Sequence, residues 1–391
     1  VLPFENLGAA EDAYFADGIA DEIRGKLLDL PGFAVIARSS SVQYRDSDKP
    51  PTAIGRELGA DYLLTATVRW AKAAEQGSRV QVVPELIDAR SGNVRWQQSF
   101  DAAITDVFAV QASIASRVAQ ELDVALGAGA QARLAQRPTA NVAAYDAYLR
   151  GEAASQGLGT TQAAPLRQAL AFYQQAVSLD STFVEAWARL SRTECELNRS
   201  APTVSGLEHC RAAAERALAL APDRPEGHHA MGDYLRVAPK DFDGALAQYN
   251  AGLRLAPNNA DLLTAAALVE RSLGRFAEGI AHLERANRID PRSVFAARRL
   301  AYAYADQHRS PEALAQFDRA LALAPTNLAT IQGKSSTYLR LGDLPGARRG
   351  IAGAGQRPGR AAVVAHCALF HAPEWGLPDH LRPPLGRPGG P

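Results

Sequence analysis

Three short stretches of this chain carry residues that could do chemistry. The first is TIQGKSS, Thr330 to Ser336, whose Gly333-Lys334-Ser335 core matches the end of a phosphate-cradling loop. The second is FADGIADEI, which supplies Asp17, Asp21 and Glu22, and paired carboxylates can serve acid–base or metal chemistry. The third is His228-His229 with Asp233, where His229 and Asp233 stand at i and i+4, the ligand spacing of a helical metal site. His366, Cys367 and His371 add a fourth group, in a stretch whose composition does not support a fold.

The elements that must position these residues argue against each chemistry. A phosphate loop needs a glycine five residues before Gly333 and a strand leading into it, but Leu328 stands there and the surrounding pattern is helical. Backbone N–H groups inside a helix are committed to carbonyls four residues back and cannot cradle a phosphate. Lys334 is expected to pack its stem and reach water with its amine. Asp21 and Glu22 point about 100° apart on a helix, and Asp17 near the amino end favours the macrodipole, so capping and solvated-face roles are expected. No third ligand accompanies His229 and Asp233. The expectation is a chain with no catalytic residue, no metal and no cofactor.

Composition narrows the class further. The 391 residues carry 42 Lys and Arg against 42 Asp and Glu, so no broad basic surface for nucleic acid is expected. Cys195, Cys210 and Cys367 are odd in number and lack C-x-x-C spacing, which argues against a disulfide framework and a zinc site; the first two read as small helix-packing residues. No run of about 18 apolar residues occurs, and no basic segment precedes an apolar one, so neither a membrane span nor a signal peptide is expected. The chain opens on Val1 in a strand-like run and reads as a fragment, while Arg360–Pro391, rich in Pro, Gly and Arg, reads as an irregular tail from a truncation or frame slip.

Residues 1–126 alternate helical and strand patterns. Phe15, Ile19, Ile23 and Leu27 make one apolar helical stripe before Pro31-Gly32; FAVIARSS reads as a short buried strand, PTAIGRELG as a helix closed by Gly59, and DYLLTATVRWA as a longer strand. Arg79–Ala89 and Val94–Phe100 flank the turn RSGN as a hairpin, with Pro84 placing its strand at an edge or bulge. Val110, Ile114, Val118 and Leu122 share one face of a final helix. The expected fold class is an α/β mixed-sheet domain followed by an all-α array.

In order, the blocks VLPFENL, YFADGIADEI, PGFAVIARSSS, IGRELGADYLLTATVRW, ELIDARSGNVRWQQSFD and DVFAVQASIASRVAQEL resemble the TolB-like amino-terminal domain of bacterial signalling proteins. The resemblance implies a binding or sensory module without activity of its own, beside an output unit such as a eukaryotic-like serine/threonine protein kinase, an adenylate cyclase or a winged-helix regulator. No H-R-D, D-F-G or V-A-I-K-type motif is in the sequence, so a kinase domain would have to precede Val1, and with it any membrane anchor.

From Val142 to residue 359 the sequence repeats, after a linker at 127–141 that begins with Gly127-Ala-Gly129. Pro222, Pro257, Pro291 and Pro325 close phrases such as RALALAPDRPE and RALALAPTNLA and stand 35, 34 and 34 residues apart, the period of tetratricopeptide repeats, giving a solenoid of about six repeats. Ala217, Gly252, Ala286 and Ala320 recur where paired helices cross. GLGTTQAAP and NRSAPTVSG read as inserted loops. In tetratricopeptide arrays the first helices line a groove through their second, fifth, ninth and twelfth positions, which here include Arg192, Asp233, Arg236, Arg271, Arg298 and Tyr302. Such a set suits an extended peptide carrying carboxylates. The leading expectation is a non-catalytic regulatory region that binds proteins or peptides and resembles the carboxy-terminal half of a bacterial serine/threonine kinase. The alternatives are a small-ligand or nucleotide-binding enzyme module, or a stand-alone assembly scaffold.

Overall fold

The computed structural model of the chain describes residues 1–30, 32–71, 78–155, 163–200 and 203–352. It divides into two compact units, one of residues 1–274 with 288–291, the other of residues 275–287 with those from 292 onward.

The first unit opens with a small mixed sheet followed by many helices. Strands β1 (Glu5–Asn6), β2 (Tyr62–Ala71), β3 (Arg79–Asp88) and β4 (Val94–Gln97) pair in that order, and β5 (Phe100–Ala103) pairs with β3 beside β4. Only β1–β2 is parallel; β2–β3 is the long antiparallel ladder, Tyr62 opposite Asp88 through Ala71 opposite Arg79. The alternation of β2 buries Leu64, Ala66 and Val68 on one face, against α1 (Ala13–Leu28) and, further along the chain, Val107–Glu121. Leu63 on the opposite face packs with Ile54 and Leu58. Between these elements lie a one-turn helix, α2 (Arg38–Ser41), and α3 (Pro51–Leu58), which carries Ile54 and Leu58 and stops at Gly59, φ 64°, a left-handed conformation that glycine adopts without a Cβ clash. The segment Val107–Glu121 is α4, and α5 (Ala128–Ala135) follows.

Several expectations are corrected here. FAVIARSS is not a strand: residues 33–37 belong to no strand or helix, Phe33 and Val35 pack on the core, and Arg38–Ser41 turns helical. Apolar packing satisfies that run without a ladder. Pro84 lies in an interior strand, with β2 on one side and β4 and β5 on the other. Its carbonyl accepts from Gln98 N–H (3.4 Å), so its nitrogen faces the break between β4 and β5, where no ladder donor is needed. Asp17 does not cap its helix; it is buried and paired with Arg45. Asp21 likewise pairs with Arg24 and Arg38. The stretch from Gly127 is not a bare joint, because α5 buries Ala130 and Leu134.

Helix pairs then follow: α6 (Val142–Ser155) with α7 (Ala163–Leu179), α8 (Val184–Ser200) with α9 (Val204–Leu220), α10 (Pro225–Val237) with α11 (Phe242–Leu255), and α12 (Ala260–Ser272) ends the unit's run. In the second unit α13 (Phe276–Ile289, of which residues 276–287 belong to it) is followed by α14 (Val294–Asp306) against α15 (Ser310–Leu323) and by α16 (Leu328–Arg340) against α17 (Leu344–Ala352). The 34-residue period has a local cause. Asn259, Ser293 and Asn327, one per period, each accept from a backbone N–H three residues on and start the first helix of a pair. The insertion GLGTTQAAP lies largely outside the described residues, as do Ala201-Pro202 of NRSAPTVSG, Pro31, and residues 353–391 with His366, Cys367 and His371.

Within pairs, a glycine on one helix meets an aromatic ring on the other. A Cβ at Gly151 would stand 2.5 Å from Tyr173, and at Gly232 2.4 Å from Tyr249, both rings fully buried. The crossing residues Ala217 and Gly252 in the first unit and Ala286 and Ala320 in the second are buried as well. One pair is also covalently closed. Cys195 of α8 and Cys210 of α9 form a disulfide, with Cα atoms 5.4 Å apart, because the antiparallel turn brings residues 15 apart in sequence face to face. This bond overturns the expectation, drawn from the odd cysteine count and the lack of C-x-x-C spacing, that no disulfide forms.

Denaturation experiments can weigh these contacts. Gly232→Ala gains helix propensity of about 1 kcal/mol but overpacks against the Tyr249 ring, for a net loss of about 1–2 kcal/mol in urea denaturation. Gly25→Ala, with open space at its Cβ position, instead gains roughly 0.5–1 kcal/mol. Reduction of Cys195–Cys210 lowers stability by about 2–3 kcal/mol, read as a midpoint shift with and without dithiothreitol.

Candidate functional site

Helix α1 has two working faces. Phe15, Ile19, Ile23 and Leu27 face the sheet core, while Gly18, Glu22, Lys26 and Asp29, spaced about a turn apart, lie along the other side. That second side meets the helix pairs. A Cβ at Gly18 would lie 2.4 Å from Leu149 of α6, so only a glycine allows the approach without displacing that side chain. Tyr14 donates to Asp146, Gln111 Nε2 to Tyr145 Oη (3.2 Å), and Phe108 meets the Tyr145 ring edge-on at 4.7 Å. One apolar core accordingly runs from Phe4 through the sheet and α6 to Ala213 of α9.

Beside this contact lies a cavity of about 270 Å³, lined on one side by Glu22, Lys26 and Asp29 of α1 and on the other by the first helices α8 and α10. Lys26 is held in place by donating to the carbonyls of Leu134 and Gln136, each at 2.8 Å, which ties α1 to the end of α5. Arg224, just before α10, bridges two carboxylates, with Nη2 2.7 Å from Glu185 Oε1 and Nε 3.3 Å from Glu226 Oε2. Burial pushes Glu185 up to about 7; Arg224 opposes the shift, and Glu226 and Glu22 add to it. Glu22 is raised as well, first by burial, against the pull of Lys26.

Further along the same helices stands a second polar knot. Asp233 accepts from Arg192 Nε at 3.0 Å and from Tyr249 Oη at 2.7 Å, with Arg236 Nη2 at 3.4 Å and His229 Nε2 at 3.8 Å. Burial, then the neighbouring Arg192, pushes His229 down to about 3, so its ring is neutral near neutral pH. Burial opposes ionisation of Asp233, but His229 once protonated, with Arg192 and Arg236, outweighs that and holds its carboxyl well below the usual range. His228 points elsewhere, to Gln248 (2.8 Å) and the carbonyl of Pro222 (2.9 Å). Among the described residues no group of three His, Cys, Asp or Glu is placed to hold a metal.

The structure thus brings Arg192, Asp233 and Arg236 together by pairing them with one another. Arg271 closes the last turn of α12. In the second unit Arg298 lies over the Phe295 ring (5.8 Å), while Tyr302 donates to the carbonyl of Ala329 (3.0 Å) and meets Phe317 edge-on at 5.3 Å. Gly333, Lys334 and Ser335 sit inside α16, as their place in the repeat requires. A Cβ at Gly333 would meet the Phe317 ring at 2.6 Å, and Lys334 pairs with Asp318, so packing accounts for both residues. Sequence reasoning missed the polar stripe of α1, together with Arg133, Arg137 and Arg224. Its signal was available, since Glu22, Lys26 and Asp29 repeat at helical spacing opposite the apolar stripe.

No family model matches the chain. A curated relative, named "Putative adenylate cyclase 3", from Rhizobium meliloti (strain 1021), is 30% identical over 235 residues, which are 59% of this chain and 39% of that protein. The chain therefore spans about two fifths of the length of that relative. Similar solved structures include a thermophilic TPR protein of Thermus thermophilus (22% identity, TM-score 0.43, 50% of this chain and 100% of that one). Others are YrrB, a TPR protein with an unusual peptide-binding site (18%, 0.39, 50% and 97%), and a monomeric mutant of IFIT1 with Gppp-AAAA (14%, 0.49, 68% and 60%). Among the described residues no helix is long and apolar enough to cross a membrane.

The buried imidazole gives a pH prediction. A histidine whose folded pKa lies below its unfolded value of 6.5 contributes stability that is present above pH 6.5 and lost as pH falls toward about 3. Stability should decline below pH 6.5 by up to about 1.4 kcal/mol per pH unit for this one proton. His229→Gln should flatten that slope in chemical denaturation series.

Proposed function

We propose that this chain is a non-catalytic regulatory region of a bacterial signalling protein, a TolB-like α/β module continued by tetratricopeptide repeats that bind protein or peptide partners. The observation that carries the reading is the succession of capped first helices at 34-residue spacing, with charged side chains at the positions such arrays use to grip partners. The output unit it would serve is a serine/threonine protein kinase or an adenylate cyclase. The cyclase option draws support from the name of the relative matched over 39% of its length. A neutral formal charge supports peptide over nucleic-acid partners.

The test of an acidic-peptide groove falls on Arg271 and Arg298, groove positions on α12 and α14, because reversing Arg192 or Arg236 would also break the network around Asp233. With a panel of fluorescent acidic peptides, Arg271→Glu and Arg298→Glu should weaken binding by on the order of 2 kcal/mol, while Arg192→Glu should mainly lower stability. Affinity unchanged in both charge reversals removes the peptide groove, and hydrolysis of ATP by the purified chain removes the non-catalytic reading.

A further inference from the structure

We propose that the cavity between α1 and the first helices α8 and α10 binds a compact zwitterion of the free amino acid class, its ammonium among Glu22, Glu185 and Glu226 and its carboxylate at Arg133 and Arg137.

Six cations and five carboxylates reach the cavity wall, which looks balanced until their partners are assigned. Arg189 is engaged with Glu152 (2.9 Å) and Arg192 with Asp233, both outside the cavity. That leaves Lys26, Arg133, Arg137 and Arg224 against Glu22, Asp29, Glu185, Glu226 and Asp261; Asp29 feels both Arg224 and Arg133, and Lys26 spends two of its three N–H donors on backbone carbonyls. Two carboxylate oxygens there, Glu185 Oε2 and Glu226 Oε2, are buried with no hydrogen-bond partner; the second lies 3.3 Å from Arg224 Nε without the alignment of a bond. Unmet buried acceptors beside an excess of carboxylates call for a donor with several N–H groups, and an ammonium supplies three.

Arg133 and Arg137 line the same cavity from α5 and the loop after it, are exposed, and hold no ion pair among the described residues. Guanidinium forks of this kind pair with a carboxylate bidentately. A cavity that offers unmet carboxylate oxygens and two exposed guanidinium groups suits a ligand carrying both charges, and about 270 Å³ is the size of a free amino acid. This reading does not depend on the peptide groove, whose test residues Arg271 and Arg298 do not line the cavity.

The test is isothermal calorimetry and thermal shift on the whole chain with L-lysine and glycine, alongside methylamine and acetate as half-ligands. Saturable binding of at least one amino acid is expected, with each half-ligand at least ~10-fold weaker. Arg137→Glu, at an exposed position where folding is not at stake, and Glu226→Gln should each weaken the amino acid at least ~10-fold, while Arg271→Glu leaves it unchanged. The proposal is overturned by no saturable signal from either amino acid up to roughly 10 mM, by methylamine binding as tightly as glycine, or by unaltered affinity in Arg137→Glu.

Discussion

A single missing methyl group sets the arrangement of the first unit. With hydrogen in place of a side chain at Gly18, α1 lies directly on Leu149 of α6, and a Cβ there would fall well inside van der Waals contact. That approach puts Glu22, Lys26 and Asp29 opposite α8 and α10, carries Lys26 to the carbonyls at the end of α5, and merges the sheet core with the core of the helix pairs. The same device recurs at Gly151 and Gly232, where a buried tyrosine ring occupies the space a side chain would need. Close packing of this kind is intolerant of added volume, so the helices are fixed in register rather than loosely stacked.

The polar residues on the first helices do different work from their apolar neighbours. Taking Asp233, Arg192 and His229 out of water costs more than their attraction returns unless every lone pair finds a donor, and here Tyr249 and Arg236 complete the set. Such a knot contributes little net stability, but it forbids slippage between α8, α10 and α11 because any shift would strand a buried charge. The cavity beside it is different in kind. Its carboxylates outnumber the cations left to them, and that imbalance separates a satisfied structural network from a place prepared for a guest.

Much of this was legible in the residues, and the exceptions have physical causes. The helix pairs followed from spacing alone, because the capping Asn or Ser, the small residue at each crossing and the closing proline are all local signals. The GKS lure was rejected by the same logic, and α16 runs straight through it. FAVIARSS misled because an apolar run states that a segment is buried, not that it has a neighbour to pair with. Pro84 misled because its nitrogen faces a break in the neighbouring strands that no one-dimensional pattern announces. The Cys195–Cys210 bond and the partner of the α1 polar stripe depend on which surfaces meet, and that information lies in the packing.

The unbroken core from Phe4 to Ala213 also bears on how such a protein could be rearranged. A boundary drawn at residue 126 would look natural on a domain map, yet a graft made there would strip Tyr145, Leu149 and Tyr173 from the faces they fill and leave sticky hydrocarbon on both halves. A sheet moved onto a foreign array would have to bring at least α6 and α7 along to keep most of this shared core covered. The transferable cassette is therefore longer than the α/β segment, and the seam for recombination lies beyond the first helix pairs.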